Sequence, residues 1–138
     1  MGFQARQLFV NLPVSDLEAS VNFFTALGFE FNPQYTNDNA TCMIINENTF
    51  AMLLTNKFFK TFVSKEIVDT SGHTEVILAF SATSRAEVDE LVHKALDAGG
   101  QKYNDPVDHG FMYSWSFEDI DGHLWEIVYM EENTAENA

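Results

Sequence analysis

Two stretches of the chain repeat one pattern of apolar and polar positions. In the first, Leu17, Val21, Phe24 and Leu27 recur after Ser15-Asp16-Leu17-Glu18, and Gly28 closes the run. In the second, Val88, Leu91, Val92, Ala95 and Leu96 follow Ser84-Arg85-Ala86-Glu87, and Gly99-Gly100 closes it. This spacing predicts a helix with one buried face in each place. Each opening reads as a capping box, in which the Ser accepts from the N3 amide and the Glu three residues on reaches back to the cap amide. A β-rich run precedes each helix (Leu8 to Leu12; Val76 to Phe80), and a short strand-like run follows it (Phe29 to Phe31; Gln101 to Tyr103).

Extended along the chain, the pattern gives strand 6–12, helix 15–27 and strands 29–35, 40–46 and 49–55. Asn46-Glu47-Asn48 reads as a hairpin turn, and Lys57 to Val68 holds a short helix with Phe58, Phe59 and Phe62 on one side. Asp69 to His73 is a polar connector. The second copy reads strand 75–81, helix 84–97 and strands 100–103, 111–118 and 123–130, with a loop over 105–110 and a hairpin turn at Asp121-Gly122. Each half is therefore β-α-β-β-β. The expected fold class is α+β: two βαβββ modules, about 1–68 and 74–130, form a curved mixed sheet around a cavity, with the helices outside. Residues 1–130 make a single domain, and the acidic segment 131–138 is expected to be a disordered tail. Each sheet buries one face against its helix, so the opposite faces offer a concave, partly apolar trough suited to a small molecule.

Composition narrows the partners. The net charge is −14 with only 7 Lys+Arg, which disfavours nucleic acid and anionic membrane surfaces. The 13 Phe and the 46% hydrophobic content supply a core. The single cysteine, Cys42, excludes an internal disulfide and lies in the apolar run Cys42-Met43-Ile44-Ile45, where a buried structural thiol is expected. No signal-peptide pattern or membrane-length apolar run is present, so the expected location is the cytoplasm.

Four stretches carry a resemblance to a known family. They are Phe9-Val10-Asn11-Leu12-Pro13-Val14-Ser15-Asp16-Leu17-Glu18-Ala19-Ser20 with Phe23-Phe24 and Leu27-Gly28-Phe29; the strand and helix from Glu75 to Gly100; His109-Gly110-Phe111-Met112-Tyr113; and Ser116-Phe117-Glu118-Asp119-Ile120-Asp121-Gly122-His123-Leu124-Trp125-Glu126. Together they resemble the vicinal oxygen chelate superfamily, which includes glyoxalase I, fosfomycin-resistance proteins, bleomycin-binding proteins and extradiol dioxygenases. Within it they look most like the bacterial branch labelled predicted lactoylglutathione lyase. The resemblance implies a homodimer and a divalent metal held by His or Gln, Glu, His and Glu from the first and last strand of each module. The metal then acts as a Lewis acid on a chelating pair of substrate oxygens.

Those positions transfer unevenly. The first falls on Phe9, seven residues before Asp16, and the second on Ala51-Met52-Leu53-Leu54, which offers no ligand. The third falls on Ile77 or Leu78, with Glu75 as the neighbouring carboxylate on the same strand face. The fourth is kept as Glu126. Glu126 is thus the candidate general base, Glu126 and Glu75 are the candidate metal ligands, and the cofactor is unknown. Phe9, Leu53, Ile77, His109, Tyr113 and Trp115 are the candidate ligand-binding residues. His109 lies in a loop beside Asp108, which could orient its imidazole. Tyr113, Trp115 and Phe117 alternate with Met112, Ser114 and Ser116, and parity does not say which set faces the trough. His123 reads as a turn residue and His93 as a surface residue. Neither Arg6 nor Arg85 lies on a clear inward face, so no anion clamp is evident.

Two functions follow. One is a glyoxalase-like lyase or isomerase that uses Glu126 in a non-standard metal site. The alternative is a metal-free protein that sequesters a small aromatic molecule, as bleomycin-binding relatives do, where an acidic rim would favour a cationic ligand. A dioxygenase ranks last, because its two-His-one-carboxylate triad has no recognisable histidines here.

Overall fold

The computed structural model describes residues 2–131, so the expected disordered tail lies, apart from Glu131, outside the described residues. The fold is α+β. The chain divides into two compact units, one ending at Ile67 and the other beginning at Val68. The strands form two mixed sheets, of four and five strands, where the sequence suggested one curved sheet.

The first unit runs β1 (Leu8–Val14), α1 (Leu17–Leu27), β2 (Glu30–Asn32), β3 (Ala40–Asn46), β4 (Thr49–Thr55) and the short α2 (Asn56–Phe59). Its sheet order is β1-β4-β3-β2, with β1 parallel to β4 and the other pairs antiparallel. The α1 N-cap is Asp16, not Ser15: its carboxylate accepts from the Ala19 amide at 3.1 Å. An aspartate does this as well as a serine, and as an anion it also suits the positive end of the helix dipole. Gly28, at φ +107, ends the helix in a left-handed cap. The strand expected over 29–35 stops at Asn32, because Pro33 has no amide to donate and instead opens a 3-10 turn over Pro33–Tyr35. The short helix expected within 57–68 is the single turn α2, which opens at Asn56; its Phe58 meets Phe62, beyond the turn, edge to face at 5.0 Å.

Register decides what each strand residue faces. Val10 pairs with Ala51, Leu12 with Leu53 and Val14 with Thr55, and Met43 stands opposite Ala51. Leu12, Val14, Met43, Ala51 and Leu53 are buried, as are Phe23, Phe24 and Leu27 of α1. Period-two alternation then puts Phe9, Asn11, Phe50, Met52 and Cys42 on the other face.

The second unit runs β5 (Ile77–Ser81), α3 (Arg85–Asp97), β6 (Gln101–Lys102), β7 (Val107–Asp108), β8 (Met112–Glu118) and β9 (Leu124–Met130). Its order is β5-β9-β8-β6, and β7 also pairs with β8, so the expected 105–110 loop contains an extra edge strand. Ser84 caps α3 by accepting from the Glu87 amide, while Glu87 reaches back to the amide and hydroxyl of Thr83, one residue earlier than a capping box requires. Trp125, Ile127 and Phe117 are fully buried with Val88, Val92 and Ala95 of α3. Among the described residues, no helix is long and apolar enough to cross a membrane.

The turn between β8 and β9 is a five-residue loop, 119–123, with Asp121-Gly122 inside it. The Asp119 carboxylate, 4% exposed, builds it by accepting from the amides of Asp121 (2.9 Å) and His123 (3.0 Å) and from the Trp125 indole (2.9 Å). Gly122 sits at φ +83, and a Cβ there would meet Thr70 Oγ1 at 2.7 Å, while that hydroxyl donates to the Asp121 carbonyl. Both the backbone and the space demand glycine. Gly122→Ala is expected to destabilise the fold by roughly 1–3 kcal/mol, read as a lower denaturant midpoint at unchanged m-value.

Candidate functional site

The helix-free face of the first sheet carries a cavity of about 570 Å³. Its floor is apolar: Phe9, Phe50, Met52 and the Cys42 thiol. Phe9 and Phe50 are register partners whose rings stack at 5.1 Å with planes 17° apart, and Phe9 remains 46% exposed. Four carboxamides (Gln7, Asn11, Asn32 and Gln34) and the Tyr35 phenol complete the lining. The 3-10 turn holds part of this rim in place. Asn32 Oδ1 accepts from the Gln34 amide at 3.0 Å, and the Thr36 hydroxyl donates to the Asn32 carbonyl at 2.8 Å. Burial pushes the Cys42 thiol above its usual range, which opposes formation of the nucleophilic thiolate.

The sequence candidates fall in several places. Phe9 is in the cavity lining. Leu53 is not: it is fully buried on the helix-bearing face, because its register partner is Leu12. The sequence pointed to Phe9 through its family position, but it missed Phe50, Met52 and Asn11. Their common signal was strand parity, legible only once Leu12 and Leu53 are known to be core.

In the second unit, Ile77 is 58% exposed and stands on the helix-free face with Glu126: the register pairs Ile77 with Leu124 and Ala79 with Glu126. Glu126 is half-buried, opposite Ser116 of β8. Ser114 and Ser116 therefore share its face. Tyr113 and Trp115 do not. They turn to α3, where the Tyr113 hydroxyl donates to Asp89 at 2.6 Å and Trp115 meets the His93 ring edge-on at 5.3 Å. The expectation that they line a ligand trough is corrected by the same parity rule, since Trp115 pairs with the fully buried Ile127. His109 is exposed in the β7–β8 turn. Asp108 does not orient it through a hydrogen bond; its carboxylate accepts from the Gly110 amide at 2.8 Å and lies 3.5 Å from Arg85. Arg85 is itself engaged, donating to the Gly110 carbonyl, lying near Glu131 and sitting over the Tyr113 and Tyr129 rings.

Glu75 Oε1 lies 3.4 Å from Nδ1 of the buried His123. In the first unit, the counterpart positions bear Phe9 and Met52. Among the described residues, no three His, Cys, Asp or Glu side chains are grouped so as to hold a metal ion. The residues present do not fit the ligand set that the family resemblance implies.

Comparison with known proteins adds relatives. Residues 6–46 match the family model of the bleomycin resistance protein-like N-terminal region. A hypothetical protein from S. aureus is 30% identical, over 94% of this chain and 95% of that one, with a TM-score of 0.75. A glyoxalase/bleomycin resistance protein/dioxygenase family enzyme from Burkholderia phytofirmans shares the fold at 16% identity (89% and 97% covered; TM-score 0.76). So does a fosfomycin resistance protein from Mesorhizobium loti, at 14% identity (100% and 99% covered; TM-score 0.65). No protein of curated function matches the chain in sequence.

One electrostatic consequence is directly measurable. Burial, reinforced by the Asp89 carboxylate, pushes Tyr113 up to about 12. The folded state then keeps this proton to higher pH than the unfolded chain, so folding is expected to lose stability as pH rises from about 10 towards 12. A spectrophotometric titration should show a late-ionising phenol that disappears in Tyr113→Phe.

Proposed function

This chain belongs to the vicinal oxygen chelate (glyoxalase/bleomycin resistance/dioxygenase) superfamily, and we propose that it binds a small organic molecule in the cavity of its first unit without using a metal. The observation that carries this reading is the composition of the cavity: an aromatic pair and a thioether under a ring of carboxamides. A cavity of about 570 Å³ is in the range that holds a small ligand. Exposed aromatic rings on a strand face supply stacking area, and carboxamides supply both donors and acceptors for orientation. The lining holds no imidazole and no carboxylate, so the carboxamides there lack the His and Glu partners of the ligand set that the superfamily resemblance implies. Pairing of two chains belongs to the same reading.

A second reading, the glyoxalase-like lyase, is favoured by one observation: Glu126 stands half-buried on a helix-free face opposite Ser116. It predicts formation of lactoylglutathione from methylglyoxal and glutathione, abolished by Glu126→Gln.

The binding reading is tested by screening aromatic fragments with protein-observed NMR. Hits are expected to shift the amides of Phe9, Asn11, Phe50 and Met52, and Phe9→Ala is expected to weaken them about 2- to 10-fold. Hits that shift only second-unit amides, or that ignore Phe9→Ala, would overturn it.

A further inference from the structure

The charge of the cavity runs against the charge of the molecule. The chain carries −14, and the long-range field of such a protein draws cations towards it. Yet every side chain in the first-unit lining is a carboxamide, an aromatic ring, a thioether or a thiol. Glu30 shares this sheet face, paired with Ile44, but does not line the cavity. A cation entering the cavity would shed water with no carboxylate to replace it, and an anion would find no Lys or Arg. A neutral molecule avoids both penalties.

The lining also says what a neutral ligand should present. The Phe9–Phe50 pair offers a flat apolar surface, while Gln7, Asn11, Asn32 and Gln34 offer amide groups. A carboxamide matches best with a group that has a donor beside an acceptor, such as the lactam, imide or aminopyrimidine edge of a nitrogen heterocycle. Asn32 already has its oxygen engaged by the Gln34 amide, so it contributes chiefly as a donor.

We propose that this cavity selects an uncharged, flat nitrogen heterocycle with adjacent hydrogen-bond donor and acceptor groups, and discriminates against aromatic cations. The proposal rests on the reading of the cavity as the binding site and deepens it by naming the ligand class.

Two three-ring fluorophores separate the outcomes: lumichrome, which is neutral and carries an imide edge, and proflavine, which is a cation. Both are titrated into the full chain at an ionic strength of about 0.3 M, where the general field of the protein is largely screened. Lumichrome is expected to bind about tenfold or more tightly than proflavine, a difference of about 1.4 kcal/mol. Gln7→Leu and Asn11→Leu, both at exposed positions, should each weaken lumichrome about 2- to 10-fold and leave proflavine nearly unchanged. Asn11→Asp, which adds a carboxylate to the lining, should move the preference towards proflavine. Equal or tighter binding of proflavine, or lumichrome binding indifferent to both leucine variants, would overturn the proposal. If proflavine binds as tightly as lumichrome or more tightly, and Phe9→Ala weakens it, the cavity is a binding site and only the ligand class is wrong. If neither dye responds to Phe9→Ala, the cavity reading fails, and the proposal with it.

Discussion

Each sheet buries one face, and the rest of each unit is arranged by that constraint. In the first unit the buried set is Leu12, Val14, Met43, Ala51 and Leu53, none more than 3% exposed, together with Phe23, Phe24 and Leu27 of α1. Burying a large apolar side chain contributes about 1.5–3 kcal/mol, so this set outweighs any preference of single residues on the opposite face. A one-residue slip in β1 or β4 would turn that strand's buried residues to the opposite face. Register is therefore fixed by the core, and the helix-free face receives the alternate residues. Phe9, Asn11 and Met52 line the cavity because their neighbours cannot leave the interior.

In the second unit a buried carboxylate plays the corresponding part at the end of the sheet. Burial pushes Asp119 above the usual carboxylate range, opposed by the nearby His123 charge and by hydrogen bonds from the Trp125 indole and the loop amides. A carboxylate there is tolerable because its two oxygens accept three hydrogen bonds that the loop needs. This fixes where β9 begins and thus which face Glu126 takes. Arg85 does similar service at the other end, tying α3 to the β7–β8 turn through the Gly110 carbonyl. That explains why one of the chain's few cations sits in a structural contact.

The molecule separates its global charge from its local chemistry. Its acidity governs long-range attraction, while the first-unit cavity is lined by dipoles and rings. The Cys42 thiol belongs to this neutral set: it is buried to 1% exposure and packed opposite Met52 in the register. Several acidic groups of the second unit serve caps, turns and ion pairs, as with Asp108 on the Gly110 amide and Asp105 on Lys102 at 2.7 Å.

The amino-acid sequence by itself determined the repeated β-α-β-β-β order, both long helices, the β3–β4 and β8–β9 pairings and the superfamily resemblance, because helical periodicity, caps and turns are local signals. It placed the first cap one residue early, since Ser15 and Asp16 are equally good cap residues and only the chain path selects between them. It missed β7, whose two residues form a strand only because β8 offers an edge. The face of each strand was decided by tertiary structure alone. Alternation states that Tyr113 and Trp115 oppose Ser114 and Ser116, but only the packing of Trp115 against His93 and its pairing with Ile127 says which set is inside. The same holds for Leu53 and Met52. Period two is written in the chain, and its phase is set by which residues the helices cover.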